Sequence, residues 1–323
     1  MTTVLGALVA LVVLIVVLDR LAPGPMARLA LALQYAVGGL RVRSVAIPGF
    51  TIAYLEGGRG EPLVLVHGIG ADKSNFGPVA PWLRGLGRII ALDLPGFGAS
   101  SKPSDADYSI ETQADRLGQF LDALALPRVH LGGSSMGGAI VLAFALRHPE
   151  RVASLWLLAP AGVGNAAESE MFRRHREHGE FPLFAATPEQ YADVMRICFT
   201  RPPFVPYCVQ STLARDAIAN YPLHTRIFRE LVALPFTLEQ EVAGLPTPAL
   251  IVWGDADRVL DVSAAEVLHR ALPSSRLVTM RRVGHLPMLE APRQAAADYR
   301  AFRASLRDAP GIVTESVSAR YAG

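Results

Sequence analysis

The fold is decided by residues 128–145, which read R-V-H-L-G-G-S-S-M-G-G-A-I-V-L-A-F-A. A short apolar segment typical of a strand leads into an apolar helical segment that begins near Met136. Between them, Gly133, Ser135 and Gly137 match the pattern G-x-S-x-G, in which a serine occupies a sharp strand-to-helix turn. Such a turn brings the serine hydroxyl near a helix N-terminus, whose dipole stabilises developing negative charge. Ser135 is therefore the predicted nucleophile.

On both sides of this turn, short β-type segments alternate with amphipathic helical segments. Several β-type segments are continuous apolar runs, which is typical of strands buried on both faces of a parallel sheet. The alternation predicts an α/β fold with a mostly parallel, doubly wound sheet. The predicted strands are Val45–Ile47, Thr51–Glu56, Leu63–His67, Arg88–Asp93, Val129–Gly132, Ser154–Ala159, Ala249–Trp253 and Arg276–Arg281. The predicted core helices are Ile110–Ala125, Met136–His148, Ser263–Ala271 and Arg293–Ser305.

The alternation stops between residues 161 and 244, where helical pieces and prolines replace the strand pattern. This stretch is predicted to be a helical cap inserted into the α/β core, which comprises residues 45–160 and 245–306. Residues 21–44 are predicted to form a juxtamembrane helix and connector, and residues 307–323 a flexible tail.

Residues 1–20 are predicted to form a membrane anchor, because the chain from Thr2 to Leu18 carries no charge. That length is at the short end of what spans a bilayer. A cleavable signal peptide is the alternative, but no basic residue precedes the apolar run and no clear cleavage site follows it. The first basic residues come after the segment, which favours a single-pass protein with its catalytic domain on the cytoplasmic side. If the segment is cleaved, the enzyme is instead periplasmic or secreted.

Composition excludes several classes of protein. Hydrophobic residues make up 51% of the 323 residues and charged residues 19%, which excludes a disordered chain. A net charge of +2 without a basic stripe argues against nucleic-acid binding. Two cysteines, Cys198 and Cys208, are too few for a disulfide scaffold or a four-thiolate zinc site. Neither a metal nor an organic cofactor is expected, and the oligomeric state is left open.

A serine hydroxyl needs a base to accept its proton, and His285 is the predicted base. It lies directly after the last predicted strand, where a loop can bring the imidazole over the sheet. The orienting acid is expected after the strand that ends at Trp253, where the sequence offers Asp255 and Asp257. Asp257 is favoured because a turn needs a few residues before a side chain points back, and Asp255 is expected to support that turn.

Backbone N–H groups are expected to stabilise the oxyanion of the reaction. His67-Gly68-Ile69-Gly70 follows an early predicted strand, so the Ile69 N–H can face the nucleophile there. The second predicted donor is the N–H of Met136, the residue after the serine. His67 itself is expected to brace this loop rather than act as a base.

Four motifs in this order resemble the α/β-hydrolase superfamily, from Ile47 to about Leu306. They are His67-Gly68-Ile69-Gly70, Asp93-Leu94-Pro95-Gly96-Phe97-Gly98, the serine turn, and the pair Asp257 and His285. Within that superfamily the chain is most similar to membrane-anchored monoacylglycerol lipases and related bacterial lipases and esterases. The segments Asp72-Lys73-Ser74-Asn75-Phe76, Ala159-Pro160-Ala161-Gly162 and Trp253-Gly254-Asp255-Ala256-Asp257 carry this narrower similarity, together with the apolar N-terminus.

The resemblance implies a serine carboxylic-ester hydrolase that forms an acyl-enzyme on Ser135 and acts on lipid-like esters, either monoacylglycerols or medium- to long-chain acyl esters. Apolar residues of the cap and the His285 loop are the candidate substrate contacts, namely Phe184, Phe199, Phe204 and Leu286. Two other enzymes share the same three residues: a hydrolase of carbon–carbon bonds in ring-cleavage products and a small-ester esterase. A non-catalytic binding protein on the same fold is a further alternative, which the complete set of Ser135, Asp257 and His285 disfavours.

Overall fold

A central eight-stranded sheet organises the computed structural model, which describes residues 2–307. The predicted tail from residue 308 onward lies outside the described residues. The strands are β1 Arg41–Ile47, β2 Phe50–Gly57, β3 Pro62–Val66, β4 Arg88–Leu92, β5 Val129–Ser134, β6 Val152–Leu158, β7 Ala249–Gly254 and β8 Ser275–Met280. Each of the eight predicted strands is present, with ends that differ by a few residues.

The strand order is β1-β2-β4-β3-β5-β6-β7-β8. β2 pairs antiparallel with both β1 and β4, and all other pairs are parallel. The predicted mostly parallel sheet is therefore confirmed. In a parallel sheet the carboxyl ends of the strands meet at one edge, so the loops after β3, β5 and β7 come together there.

Helices cover both faces of the sheet, as the strand–helix alternation predicts. They are α1 Thr2–Leu21, α2 Pro23–Gly38, α3 Ala80–Leu83, α4 Ile110–Ala123, α5 Met136–Arg147, α6 Glu170–His178, α7 Pro188–Cys198, α8 Tyr207–Val232, α9 Leu238–Glu241, α10 Ser263–Ala271, α11 Pro287–Glu290 and α12 Pro292–Arg307. Successive residues of β3 show how the two layers are filled. Val64 and Val66 belong to one buried cluster, and Leu63 and Leu65 belong to the cluster on the opposite face.

β1 begins earlier than predicted, at Arg41 rather than Val45. The α/β core therefore starts inside the segment 21–44 that the sequence assigned to a connector. The residues from Arg41 to Ser44 are exposed on the edge strand, so they show no apolar alternation that sequence analysis could detect. Their pairing with β2, and not burial, defines them as a strand.

The insertion between β6 and β7 contains α6, α7, α8 and α9. We call residues 161–244 the cap. α8 is the longest helix of the described residues and contains Pro222 in its interior. Glu239, at the far end of the cap, is buried and accepts hydrogen bonds from the Gly164 N–H at 2.9 Å and the Asn165 side chain at 2.7 Å. The two ends of the cap are thereby tied to each other.

The N-terminal helix α1 contains a stretch, Val4–Leu21, that is long and apolar enough to cross a membrane by length and composition. Its described apolar side chains are exposed along the helix. The end of α1 contacts the cap directly, because Asp19 Oδ1 accepts a hydrogen bond from the Cys208 N–H at 3.0 Å. Beside it, the Arg20 guanidinium lies 4.2 Å from the centre of the Tyr207 ring.

Candidate active site

Ser135 occupies the sharp turn between β5 and α5 with a backbone conformation of φ 54° and ψ −122°. Positive φ is costly for a residue with a side chain, and such strain concentrates at functional positions. The turn is fixed by hydrogen bonds on both sides of the residue. The Ser135 N–H donates to the Leu158 carbonyl at 3.0 Å, and its own carbonyl accepts from the N–H groups of Gly138 at 2.8 Å and Ala161 at 3.0 Å. These bonds hold the backbone of Ser135 in the strained conformation.

The glycines around Ser135 make room for close backbone approach. A methyl group on Gly137 would overlap the carbonyl oxygens of Val66 and His67, at the end of β3. A methyl group on Gly68 would lie 3.0 Å from Ser135 Cβ. Glycine is required at these positions because the oxyanion loop and the nucleophile turn pack directly against each other.

Asp257 and His285 are in direct contact, as the sequence predicts for an acid and a base. His285 Nδ1–H donates to Asp257 Oδ2 at 2.8 Å, and both side chains are buried. The other carboxylate oxygen accepts the N–H groups of Val259 at 2.8 Å and Leu260 at 3.0 Å. The His285 backbone N–H donates to the Cys198 carbonyl at 2.8 Å. These bonds fix the imidazole with Nδ1 protonated and Nε2 free to accept a proton.

The loop that carries Asp257 packs tightly against the loop that carries His285. Asp255 Oδ1 accepts the Arg282 N–H at 2.5 Å, so this aspartate joins the two loops, whereas the sequence predicted that it supports its own turn through local hydrogen bonds. Gly254 lies so close to the next loop that a methyl group there would overlap the carbonyl oxygens of Val283 and Gly284. The pairing of acid and base therefore depends on the contact between these two loops.

The loop after β3 is braced by His67, which is fully buried. His67 Nε2 accepts the Leu94 N–H at 3.0 Å, and Nδ1–H donates to the Gly68 carbonyl at 2.7 Å. Burial lowers the pKa of His67 and keeps the ring neutral, as both bonds require. Ile69, on this loop, lines the same cavity as Ser135 and Met136. The assignment of the Ile69 and Met136 N–H groups as oxyanion donors stays a prediction.

A buried ion pair supports the same loop and was not predicted. Lys73 Nζ lies 2.6 Å from Asp93 Oδ2, and the Lys73 N–H donates to Asp93 Oδ1 at 2.7 Å. The Ala99 N–H also donates to Asp93 Oδ2, at 2.7 Å. Asp93 is fully buried, and a methyl group on Gly98 would overlap its carboxylate. The motif beginning at Asp93 thus fixes the loop that follows β3.

A cavity of about 140 Å³ opens at Ser135 and is lined mainly by apolar side chains. Cap residues supply much of this wall, namely Met171, Phe172, Leu183, Phe228, Leu231, Val232, Leu234, Pro235, Phe236 and Leu238. From the core come Ile69, Met136, Val259 and Leu260. Since Asp257 accepts the N–H groups of Val259 and Leu260, the acid loop forms part of the wall that Ser135 faces.

None of the four predicted substrate contacts lines the cavity at Ser135. Phe204 is 93% exposed, so its side chain faces solvent. Phe184, Phe199 and Leu286 pack in a hydrophobic cluster that also contains the cavity-lining residues Phe228 and Val259. The Phe184 ring lies 5.5 Å from that of Phe228, which lines the cavity in its place. The residues of α8 that line the cavity have helical spacing. This spacing indicates from sequence that one face of the helix is buried, but it does not indicate that the face borders a substrate cavity.

The cap also docks on the core through His224 of α8. Its ring stacks on Phe97 at 4.7 Å between centroids, and Nε2–H donates to the Gly96 carbonyl at 3.2 Å. Burial lowers the pKa of His224 to about 4, so the imidazole is neutral at pH 7.

Cys198, which lies beside the acid, has its pKa raised to about 12 by burial and by the Asp257 charge. Its thiol is therefore protonated and unreactive at neutral pH.

Among residues 2–307, no group of three or more His, Cys, Asp and Glu side chains is placed to hold a metal ion. The groups that the sequence predicts for catalysis here are Ser135, the Asp257–His285 pair and backbone N–H groups of the neighbouring loops. A strained serine beside an apolar cavity, with a carboxylate-oriented imidazole on the adjoining loops, suits nucleophilic attack on a carbonyl carbon.

Comparison with known proteins supports the same assignment. The family model for the alpha/beta hydrolase fold matches residues 61–292. Lipase 3 of Moraxella sp. (strain TA144) is 36% identical over 275 residues, covering 83% of this chain and 86% of the relative. Monoacylglycerol lipase ABHD6 of Homo sapiens is 29% identical over 285 residues, covering 84% of each. A solved structure, described as a membrane phospholipase A and a novel bacterial virulence factor, matches with a TM-score of 0.87 and 39% identity. That match covers 96% of this chain and all of the other.

These relatives confirm the resemblance drawn from the four sequence motifs, both to the superfamily and to its lipases and monoacylglycerol lipases. They also confirm the prediction that the chain is a carboxylic-ester hydrolase. The family match spans the sheet from the end of the β2–β3 loop to the start of α12, including the serine turn and the Asp257–His285 pair. The chain belongs to the α/β hydrolase fold family.

Proposed function

We propose that the chain is a membrane-anchored serine hydrolase that cleaves lipid-like carboxylic esters, either monoacylglycerols or medium- to long-chain acyl esters. The observation that carries this proposal is the strained Ser135 on an apolar cavity, together with the buried Asp257–His285 pair, whose acid loop contributes Val259 and Leu260 to the wall of that cavity. The alternatives, a small-ester esterase and a carbon–carbon bond hydrolase, use the same three residues. They differ in the substrate that fills the cavity.

In the first half of the reaction, Ser135 Oγ attacks the ester carbonyl carbon while His285 Nε2 accepts the hydroxyl proton. Asp257 holds the imidazole in the reactive tautomer and stabilises the cation that forms. The carbonyl oxygen becomes negatively charged, and the N–H groups of Ile69 and Met136 are the donors proposed to stabilise it. Removal of one such donor typically costs about 10²–10³ in rate.

The intermediate then collapses, and the bond between the carbonyl carbon and the alcohol oxygen breaks. His285 returns the proton to that oxygen, so the alcohol leaves neutral and the acyl group remains on Ser135. Water attacks the acyl-enzyme while His285 accepts one of its protons. The second collapse releases the carboxylic acid and restores the Ser135 hydroxyl.

The apolar lining of the cavity supports a substrate with a hydrocarbon chain. Each methylene removed from water contributes about 0.8 kcal/mol, so a cavity of this kind favours acyl chains over acetyl groups. The names of the relatives point the same way, because a monoacylglycerol lipase and a membrane phospholipase A are named for lipid esters.

α1 supports the proposed membrane anchor, which would bring the enzyme to substrates that concentrate in lipid. Basic residues lie near the end of the candidate span, at Arg20, and after it, at Arg28, Arg41 and Arg43. By the bias of cytoplasmic loops toward basic residues, the catalytic domain is proposed to lie on the cytoplasmic side. Protease protection of the catalytic domain in sealed inverted and right-side-out vesicles tests this orientation, since cytoplasmic placement predicts digestion in the inverted vesicles.

The activity is tested with a matched ester series from acetyl to oleoyl, including monoacylglycerols, on the detergent-solubilised full chain. Ser135→Ala is expected to abolish hydrolysis. Ser134→Ala is the matched control, because the neighbouring Ser134 hydroxyl is buried and finds no hydrogen-bond partner among residues 2–307. Activity that peaks at medium or long acyl chains supports the proposal. Activity on acetyl esters alone would instead identify the enzyme as a small-ester esterase. A folded wild-type protein that cleaves no ester contradicts it.

A further inference from the structure

A second cavity, of about 240 Å³, adjoins the one at Ser135. It lies between the start of the cap and the α10 region of the core, and its wall includes Pro160, Val163, Ala166, Ala167 and Ala264. The proposed reaction does not use this cavity. It lies beside the cavity at Ser135, where the acyl group of the substrate is proposed to bind.

The two cavities share a wall made of Phe172, Phe236 and Leu260, which line both. The two phenylalanine rings meet edge to face, with centroids 5.5 Å apart and planes at 63°. Both rings are partly exposed instead of locked in the core. These two rings and Leu260 are therefore the side chains that separate the two cavities.

The backbone on each side of this wall is held, so the side chains are the movable part. The Phe172 N–H donates to Ser169 Oγ at 3.3 Å, at the start of α6. On the other side, a methyl group on Gly164 would overlap the carbonyl of Phe236, and the Leu238 N–H donates to the Gly162 carbonyl at 3.0 Å. Shortening either ring should thus open the wall without moving the chain that carries it.

The polar groups around the second cavity are already engaged by neighbouring residues. The Glu168 carboxylate binds the Arg176 guanidinium at 2.8 Å. The Ser169 hydroxyl donates to the Val259 carbonyl at 2.7 Å. Asp261 Oδ1 accepts the Ser263 N–H at 2.9 Å. What remains to face a ligand is mainly apolar surface, and such a surface fits a hydrocarbon chain better than a sugar or a charged group.

We propose that the second cavity receives the distal part of a long acyl chain, and that the Phe172–Phe236 pair sets the chain length that the enzyme cleaves best. This inference rests on the proposed ester hydrolysis at Ser135. Short chains fill the cavity at Ser135 and leave the pair closed. Longer chains displace a ring and continue past Leu260 into the second cavity.

Two opposite changes test this proposal by kcat/KM on p-nitrophenyl esters from acetyl to palmitoyl. Phe172→Ala and Phe236→Ala open the wall and are expected to raise the ratio of long-chain to short-chain kcat/KM by about tenfold. Ala264→Leu fills the second cavity from α10, where residue 264 does not line the cavity at Ser135. It is expected to lower that ratio by a similar factor while short-chain hydrolysis is kept.

Phe204→Ala is the matched control, because it removes a phenylalanine of the cap that is 93% exposed. Its chain-length profile should equal that of the wild type. Acetyl-ester activity reports whether each variant is folded, and Ala264→Leu remains informative if a variant with a shortened ring is not. Unchanged profiles in variants that keep acetyl-ester activity overturn the proposal and leave ester hydrolysis standing. Absence of ester hydrolysis in the folded wild type overturns both.

Discussion

His224 makes the stability of the protein depend on pH, through the contact between the cap and the core. Burial lowers its pKa from 6.5 to about 4 and outweighs the hydrogen bond to the Gly96 carbonyl, which acts in the opposite direction. In the unfolded chain the imidazole titrates near 6.5, so between about pH 6.5 and 4 the unfolded state binds more protons than the folded state. Stability therefore falls as the pH falls through this window. From pH 7 to pH 5, this one group is expected to lower the free energy of unfolding by about 2 kcal/mol.

Replacing His224 by phenylalanine removes the titrating group and keeps a ring that can stack on Phe97. The hydrogen bond to the Gly96 carbonyl is lost at every pH, so that loss does not affect the pH dependence. His130, whose pKa is also lowered to about 4, is present in both proteins and cancels in the comparison. Between pH 7 and pH 5, the free energy of unfolding of His224→Phe should therefore fall by about 2 kcal/mol less than that of the wild type.

The assay is denaturant or thermal unfolding of the detergent-solubilised full chain at both pH values. In thermal unfolding, the expected difference corresponds to a midpoint shift of roughly 3 °C for a chain of this length. Phe204→Ala is the control, because it removes an exposed side chain that does not titrate, and its loss of stability between pH 7 and pH 5 should equal that of the wild type. Equal losses of stability in wild type and His224→Phe would show that His224 is not held neutral by burial, and would refute the reasoning.

Three further predictions concern the site and its supports. Lys73→Met leaves the buried Asp93 carboxylate without its counter-ion and should lower the free energy of unfolding by about 3 kcal/mol, measured by denaturant titration. Asp257→Asn should lower kcat for ester hydrolysis by about 10³–10⁴, because the amide no longer holds His285 in the reactive tautomer, while circular dichroism stays that of the wild type. Gly137→Ala should yield little folded protein, judged by soluble yield and circular dichroism, because its methyl group would overlap a carbonyl oxygen of β3.

The sheet could be predicted from sequence because burial leaves a pattern in the residue types. β3 and β7 are buried nearly throughout, so their apolar runs are visible without any knowledge of the fold. The first half of β1 has the opposite character, since Arg41 and Arg43 are exposed on an edge strand. Its strand conformation comes from pairing with β2, which a local pattern does not report.

Ser135, Asp257 and His285 could be chosen from sequence because their roles require particular residue types after the strands β5, β7 and β8. The contact between Asp257 and His285 agrees with that choice. The cavity wall could not be chosen in the same way. Phe204 and Phe228 are both aromatic residues of the cap, yet one is exposed and the other lines the cavity. Which of them faces Ser135 depends on how the cap helices dock on the core, and docking is a tertiary property.

One helix connects the candidate membrane span to the cavity. The start of α8 is held by α1, through the hydrogen bond from the Cys208 N–H to Asp19, and a buried cluster of Ala27, Cys208 and Val209 joins α8 to α2. The other end of the same helix supplies Phe228 to the cavity wall. Because an N-terminal capping carboxylate and a packed face both fix the position of a helix, the anchor segment helps to set where the cap lies over Ser135. The N-terminal segment therefore also has a structural role, since it belongs to the same packed unit as the residues that line the cavity at Ser135.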